Sequence, residues 1–197
     1  MPKETIATQK SDHENIVVVT QRLRLRHLQL EDDDVAALHA VLGDPEAMKY
    51  YPAPFTRVGS TEWIRKQLAR YEADGFGLWA VVLKSSGQVI GDCGLIRQQV
   101  NAHDEVELAY HIRRDCQRMG YATEAARPCL QLAHERFRMA RLISMIRPEN
   151  LASRRVAEKC GLHAETELNW RGYPHLVYRI NLDPGHSLLS PSSAATL

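Results

Sequence analysis

The sequence predicts a mixed α/β domain built on one largely antiparallel sheet. Three observations carry that expectation. Between residues 76 and 112, short apolar runs follow one another with turn residues between them, the pattern of a strand meander. Helical spacing appears before that block and again after it, but not after every strand, so the regular alternation of a doubly wound sheet is missing. A length of 197 residues suits one complete core, with little chain left for a second domain.

The elements follow in order. Residues 1–19 read as a loose leader whose end, Ile16–Val19, forms an added strand or a packed arm. Leu23 and Leu25 alternate with arginines, a half-buried strand. Glu31–Asp34 precede Val35, Leu38, Val41 and Leu42 at helical spacing, and acids suit the free amides of a first turn. The aromatic, proline-containing Tyr50–Pro54 is an ordered loop, followed by a helix over about 60–73. Strands are expected at 76–83, 89–96 and 105–112, a helix over 121–137 and a central strand at 142–146. A helix over 151–160 ends at Gly161, and strands at 163–168 and 176–180 complete the sheet. The domain is thus expected over 20–182, with 183–197 as a disordered tail.

Composition narrows the function. Apolar residues at 44% and charged residues at 25% are ordinary for a globular domain. The 25 basic and 24 acidic residues nearly cancel, so no overall field favours nucleic acid. Cys93, Cys116, Cys129 and Cys160 include no CxxC pair, and the histidines show no HExxH spacing, so no metal is expected. Without a signal-like or membrane-length apolar run, the expected setting is cytoplasmic and away from membranes.

The chemistry concentrates in YHIRRDCQRMGYATEAA, residues 110–126. It places a basic, glycine-containing link between a strand and a helix, and a helix start offers unpaired amides to an anion. Gly120 allows close backbone approach, and Arg113, Arg114 and Arg118 add positive charge. There is no GxxxxGK[ST] run and only one glycine where a dinucleotide fingerprint needs three, which sets aside kinases, ATPases and dehydrogenases. Pro128 lies inside the expected helix and predicts a kink near Glu124. Further on, Asn150 can cap the helix carrying Ser153, with or without a ligand.

These runs resemble the GNAT superfamily of N-acetyltransferases, in particular the RimJ/RimL-like branch that acetylates ribosomal-protein N-termini. Gln117-Arg118-Met119-Gly120-Tyr121-Ala122 is similar to the superfamily's phosphate motif, and Gly120–Ala125 reads GYATEA as that branch does. Asn150, Ser153 and Ala157–Gly161 match its later motif, and TQRLRLRHL resembles its first strand, so the likeness covers about 20–181. It implies an acyl-CoA N-acyltransferase fold with a splayed parallel strand pair, and acetyl-CoA as donor. The pyrophosphate would rest on Gln117–Ala122 and the pantetheine between the strands at 105–112 and 142–146. A bulge would fall at Ala109 and Tyr110. Ala109, Tyr110, Ile112, Asn150 and Ser153 join the binding set.

Roles follow from that resemblance. Glu107 matches the superfamily's glutamate base, with Glu105 and His111 on the same strand face as weaker candidates. Ser153 protonates the leaving thiolate, and a backbone amide near Ala109–Tyr110 meets the oxyanion. Tyr173 and Tyr178 lie where other members carry a tyrosine acid, though neither matches by motif. Cys129 and Cys160 fit apolar helix stripes as core, and Cys116 in the link has no evident paired base, so none of the three is a nucleophile. The acceptor is an amine, either a protein N-terminus or a small molecule, bordered by Tyr50–Thr56 and Asn169–His175. Tyr50, Tyr51, Phe55, Trp63 and Trp170 offer an aromatic wall. The alternative is a catalytically weak acyl-CoA sensor. The chain is expected to be a monomer or a homodimer.

Overall fold

Alternating apolar and charged residues make the first strands. Ile16–Val19 (β1) and Leu23–Arg26 (β2) pair antiparallel, with Leu23 and Leu25 fully buried. The computed structural model describes residues 16–182; the rest of the expected leader and the tail from 183 lie outside the described residues. Of the two readings of Ile16–Val19, the added strand is the one found, at the sheet edge.

Three aspartates open the helix Asp32–Leu42 (α1), and Asp34 turns inward to a two-pronged pairing with Arg26 at 2.6 and 2.7 Å. The helix Arg57–Asp74 (α2) begins three residues before the expected Ser60. The cause is Thr56, whose side chain accepts the Gly59 amide and caps the first turn. Leu78–Leu83 (β3), Val89–Val100 (β4) and His103–Ile112 (β5) form the meander. The last two are longer than expected because Asn101 and Ala102 both take positive φ, closing a two-residue turn.

After a short 3₁₀ turn at Arg114–Cys116 come the helix Tyr121–Glu135 (α3), the strand Arg141–Ile146 (β6) and the helix Leu151–Lys159 (α4). The helix α3 runs unbroken through Pro128. His163–Trp170 (β7) and Tyr173–Asn181 (β8) complete the described sheet through a second two-residue turn, Arg171-Gly172, again with both φ positive.

The eight strands form one sheet in the order β1-β2-β3-β4-β5-β6-β8-β7. Every neighbouring pair is antiparallel except β5 and β6. One face packs Leu108, Ile112 and Leu142 against Ala125, Cys129 and Leu130 of α3 and Ala157 of α4. The other packs Ala80, Val82 and Val89 against Leu38 of α1 and Ile64 of α2. Fully burying one such leucine or isoleucine contributes about 1.5–3 kcal/mol, so these two layers fix the strand ends where the chemistry lies.

Candidate active site

The link from β5 to α3 is shaped by two left-handed residues. Arg118 has φ of +62° and Gly120, the residue before α3, has φ of +83°. Glycine takes that conformation without steric cost, whereas other residues pay for it in strain. The Gln117 amide group donates to the Ile112 carbonyl at 2.9 Å, tying the link to the strand end. Helix bonding starts with Glu124 N–H to the Gly120 carbonyl, so the amides before it face outward with the positive end of the helix behind them.

Charge around this turn is less concentrated than the three arginines suggest. Arg113 pairs with Asp115 at 2.7 Å, and Arg114 with Asp44 at 3.4 Å. Arg22, from β1–β2, lies against the turn instead. Its guanidinium pairs with Glu124 at 2.6 Å, donates to the Met119 carbonyl and covers the Tyr121 ring at 4.4 Å. An open groove of about 400 Å³ continues from Gly120 past Thr123 to the cations of Arg127 and Lys159. Donor amides, a left-handed glycine and two cations along one groove suit a phosphate-bearing ligand.

Between β5 and β6 the sheet opens. Their parallel pairing is confined to Glu107 opposite Ile143. The expected bulge at Ala109 and Tyr110 is absent: β5 follows β4 in constant register from His103 through Ile112. Side chains produce the opening instead. Ser144 Oγ donates to the Leu108 carbonyl at 2.7 Å, and Met145 N–H donates to Glu107 Oε1 at 3.2 Å, each replacing a main-chain ladder bond. On the α3–α4 side, the Tyr110 hydroxyl donates to the Ser153 carbonyl at 2.8 Å. Asn150 Oδ1 accepts the Ser153 amide at 3.1 Å, so the capping reading of Asn150 holds and its amide nitrogen is left over.

The α1–α2 side of the same opening carries the acids. Glu107 is buried, with Gln98 donating to Oε2 at 3.0 Å. Burial pushes its carboxyl up, against the opposing hydrogen bonds from Gln98 and Met145 and the charges of His111 and Arg171. Glu105, one of the weaker candidates, is taken up by Arg141 at 2.9 Å and Arg179 at 3.5 Å. His111 meets Asp92 through Nδ1 at 2.6 Å and the Tyr51 hydroxyl through Nε2 at 2.6 Å. Burial favours the neutral ring, but the charge and hydrogen bond of Asp92, with Glu107 beyond, outweigh it and raise the pKa of His111.

Asp92 also accepts the Trp63 indole N–H at 2.8 Å. Phe55 meets Trp63 edge-on, and Trp63 meets His111 in the same way, so two of the expected wall residues, Tyr51 and Trp63, meet the histidine and Phe55 backs Trp63. Tyr50 reaches across to the Glu149 carbonyl, while Trp170 packs with His175 on the β7–β8 hairpin.

A buried acid at the mouth of a splayed parallel pair, opposite a glycine-started helix, is the arrangement to compare with known proteins. The acetyltransferase (GNAT) domain family matches residues 22–163. The chain belongs to that family. YkkB of Bacillus subtilis (strain 168) is 35% identical over 162 residues, covering 82% of this chain and 93% of its own. The uncharacterized N-acetyltransferase p20 of Bacillus licheniformis is 29% identical over 138 residues, covering 68% of this chain and 75% of its own. Among solved structures, an acetyltransferase from Agrobacterium tumefaciens str. C58 superposes with a TM-score of 0.71 at 26% identity, covering 83% of this chain and 92% of that one. The ribosomal L7/L12 α-N-protein acetyltransferase RimL shares the fold at a TM-score of 0.68 and 16% identity, over 84% of this chain and 93% of that one.

This GNAT chain is therefore an N-acetyltransferase, and its fold is one that binds acetyl-CoA. Among the described residues no group of His, Cys, Asp or Glu could hold a metal ion, and no helix is long and apolar enough to cross a membrane. Tyr178 is buried, donating to Glu158 and accepting from Arg154, and Tyr173 lies under the Arg147 guanidinium. All four cysteines are free and buried, as core material should be.

Sequence reasoning missed Asp92, Gln98 and Ser144. Asp92 had a signal: it is the one acid in the otherwise apolar and glycine run VIGDCGLI. Gln98 and Ser144 had none, because only cross-strand register brings them to Glu107 and Leu108.

Proposed function

We propose that the domain over 20–182 transfers an acetyl group from acetyl-CoA directly to a primary amine, a protein N-terminus or a small molecule, in the manner of the RimJ/RimL-like branch. The observation that carries the reading is the buried Glu107 carboxylate at the single paired position of β5 and β6, from which the two strands splay. The GYATEA run and the likeness in fold to RimL support the branch.

The amides of Arg118, Met119, Gly120, Tyr121 and Ala122 hold the pyrophosphate, with the helix start behind them. The expected Gln117 amide is instead taken by the Arg114 carbonyl at 3.2 Å, and Gln117 anchors the turn. The opening beside Ala109, Tyr110 and Ile112 takes the pantetheine arm, oriented by the free amide nitrogen of Asn150. A backbone N–H at Ala109 or Tyr110 meets the charge that develops on the thioester oxygen. Glu107 draws a proton from the acceptor nitrogen, directly or through one water, as the new C–N bond forms. Ser153, directly or through water, passes a proton to the departing sulfur and regains one from solvent, while Glu107 releases to solvent the proton it took. Holding amine and thioester together supplies much of the rate.

The test is a screen for thiol release from acetyl-CoA with serine-initiated peptides, polyamines and aromatic amines, each product confirmed by mass. A product heavier than its amine by one acetyl group is expected. Thiol release yielding only acetate across the panel would remove the amine-transfer reading.

A further inference from the structure

Asp92 is fully buried in the middle of β4, and nothing in the roles given above uses it. Both its oxygens are committed, one to His111 Nδ1 at 2.6 Å and the other to the Trp63 indole at 2.8 Å. A carboxylate can only accept, so the neutral His111 ring carries its proton on Nδ1 and presents Nε2 as an acceptor. The Tyr51 hydroxyl stands 2.6 Å from that nitrogen. Tyr51 is 41% exposed overall, so it joins the buried pair to the surface beside the acceptor side of the opening.

The strand positions are fixed for this purpose. Asp92 lies directly across from His111 in the β4–β5 ladder. A Cβ on the preceding Gly91 would come within 1.9 Å of the His111 carbonyl, so only glycine lets the two strands approach this closely. The groups facing His111 are Asp92 from β4, Glu107 from its own strand, Tyr51 from the loop and the uncharged Trp63 from α2. Arg171, on the β7–β8 turn, and Arg70, on α2, act through Glu107.

Proton counting gives this chain a task. An ammonium acceptor that becomes an amide loses two protons from nitrogen. The departing sulfur needs one, and the other must reach solvent. We propose that Tyr51, His111 and Asp92 form the exit path for that second proton, with Tyr51 touching the acceptor and His111 and Asp92 acting through it. An N–H bond of the ammonium breaks as an O–H bond forms on Tyr51, whose own proton passes to His111 Nε2. Tyr51 is unchanged, and the imidazolium is held by Asp92. After product leaves, the proton returns through Tyr51 to water. This rests on acetyl transfer to an amine, and its test separates the two.

The full-length protein, labelled with ¹⁵N-histidine and saturated with acetyl-CoA, reports the tautomer of His111 directly. The neutral ring is expected with its proton on Nδ1; a proton on Nε2 would overturn the path, because that nitrogen could then accept nothing. Thiol release is followed against pH with a serine-initiated tetrapeptide and with tyramine. H111Q and Y51F should each lower kcat about a hundredfold, with acetyl-CoA affinity unchanged. The H111Q/Y51F double variant should be no worse than either single one, since the two act as a unit. D92N should move the acidic limb of the profile to lower pH by removing the charge that favours imidazolium. Additive losses, or an unmoved limb in D92N, would also overturn the path. No thiol release with either amine, with the Nδ1 proton in place, would count against amine transfer and not against the hydrogen-bonded chain.

Discussion

Glu107 Oε1 accepts the backbone N–H of Met145 at 3.2 Å. The acid that stands at the mouth of the splayed pair therefore also fills the gap left in its ladder. One carboxylate bridges the two strands and stands on the α1–α2 side of the opening, so its removal should separate into two effects.

Glu107→Gln keeps an oxygen for Met145 while losing the basic carboxylate. Turnover should fall about 10²–10⁴-fold with acetyl-CoA affinity retained, read from kcat and a binding titration. Glu107→Ala should in addition cost about 1–3 kcal/mol in denaturant unfolding, because it strands the Met145 amide.

Stability against pH should carry the signature of the same group. Its folded pKa is raised above the ordinary 4.5, so the native state holds the proton more tightly than the unfolded chain. The contribution from Glu107 is fully present below pH 4.5 and is lost as pH rises through the folded value. Glu107→Gln should gain on the parent as pH increases over that range, in parallel melts.

Glu105 serves the fold. It is buried against Arg141, whose side chain is 46% exposed, and against Arg179. Glu105→Gln should lower stability by about 1–2 kcal/mol, short of the full cost for a deeply buried pair. Turnover per folded molecule should stay near that of the parent protein, which a kinetic assay corrected for folded fraction would check.

Gly120→Ala tests the phosphate turn. A Cβ there would meet Arg22 Nη2 at 3.4 Å, an ordinary contact, so the strain comes from the backbone at φ of +83°. The expected cost is about 1–2 kcal/mol in stability. Acetyl-CoA binding should weaken about tenfold, equivalent to about 1.4 kcal/mol, measured by calorimetry.

The thiols should be silent in the native protein. Burial pushes the Cys160 thiol up to about 12 and the Cys93 thiol well above its ordinary value. A thiol reagent should therefore find none of the four quickly until denaturant is added.

How much of this could be read from sequence depended on the range of each interaction. Leu23 and Leu25 gave their strand by alternation, and the α3 start was plain from Gly120 and its neighbours. The two-residue turns were hidden because Ala102 and Arg171 take a left-handed conformation that neither residue favours. Asp92 and His111 are 19 residues apart, and Tyr51 and His111 are 60 apart. Local patterns cannot join such pairs; the β4–β5 register and the placement of the 50–56 loop do so. The missing bulge makes the same point, since an opening that family resemblance assigned to β5 arises from Ser144 on β6 and Glu107 across from it.

Hydrogen exchange with and without acetyl-CoA tests the central claim most directly, because it needs no acceptor. The amides of Arg118–Ala122 should exchange at least about tenfold more slowly with acetyl-CoA bound, as expected for donors taken up by phosphate oxygens. Unchanged exchange across that turn at saturating acetyl-CoA would contradict the account.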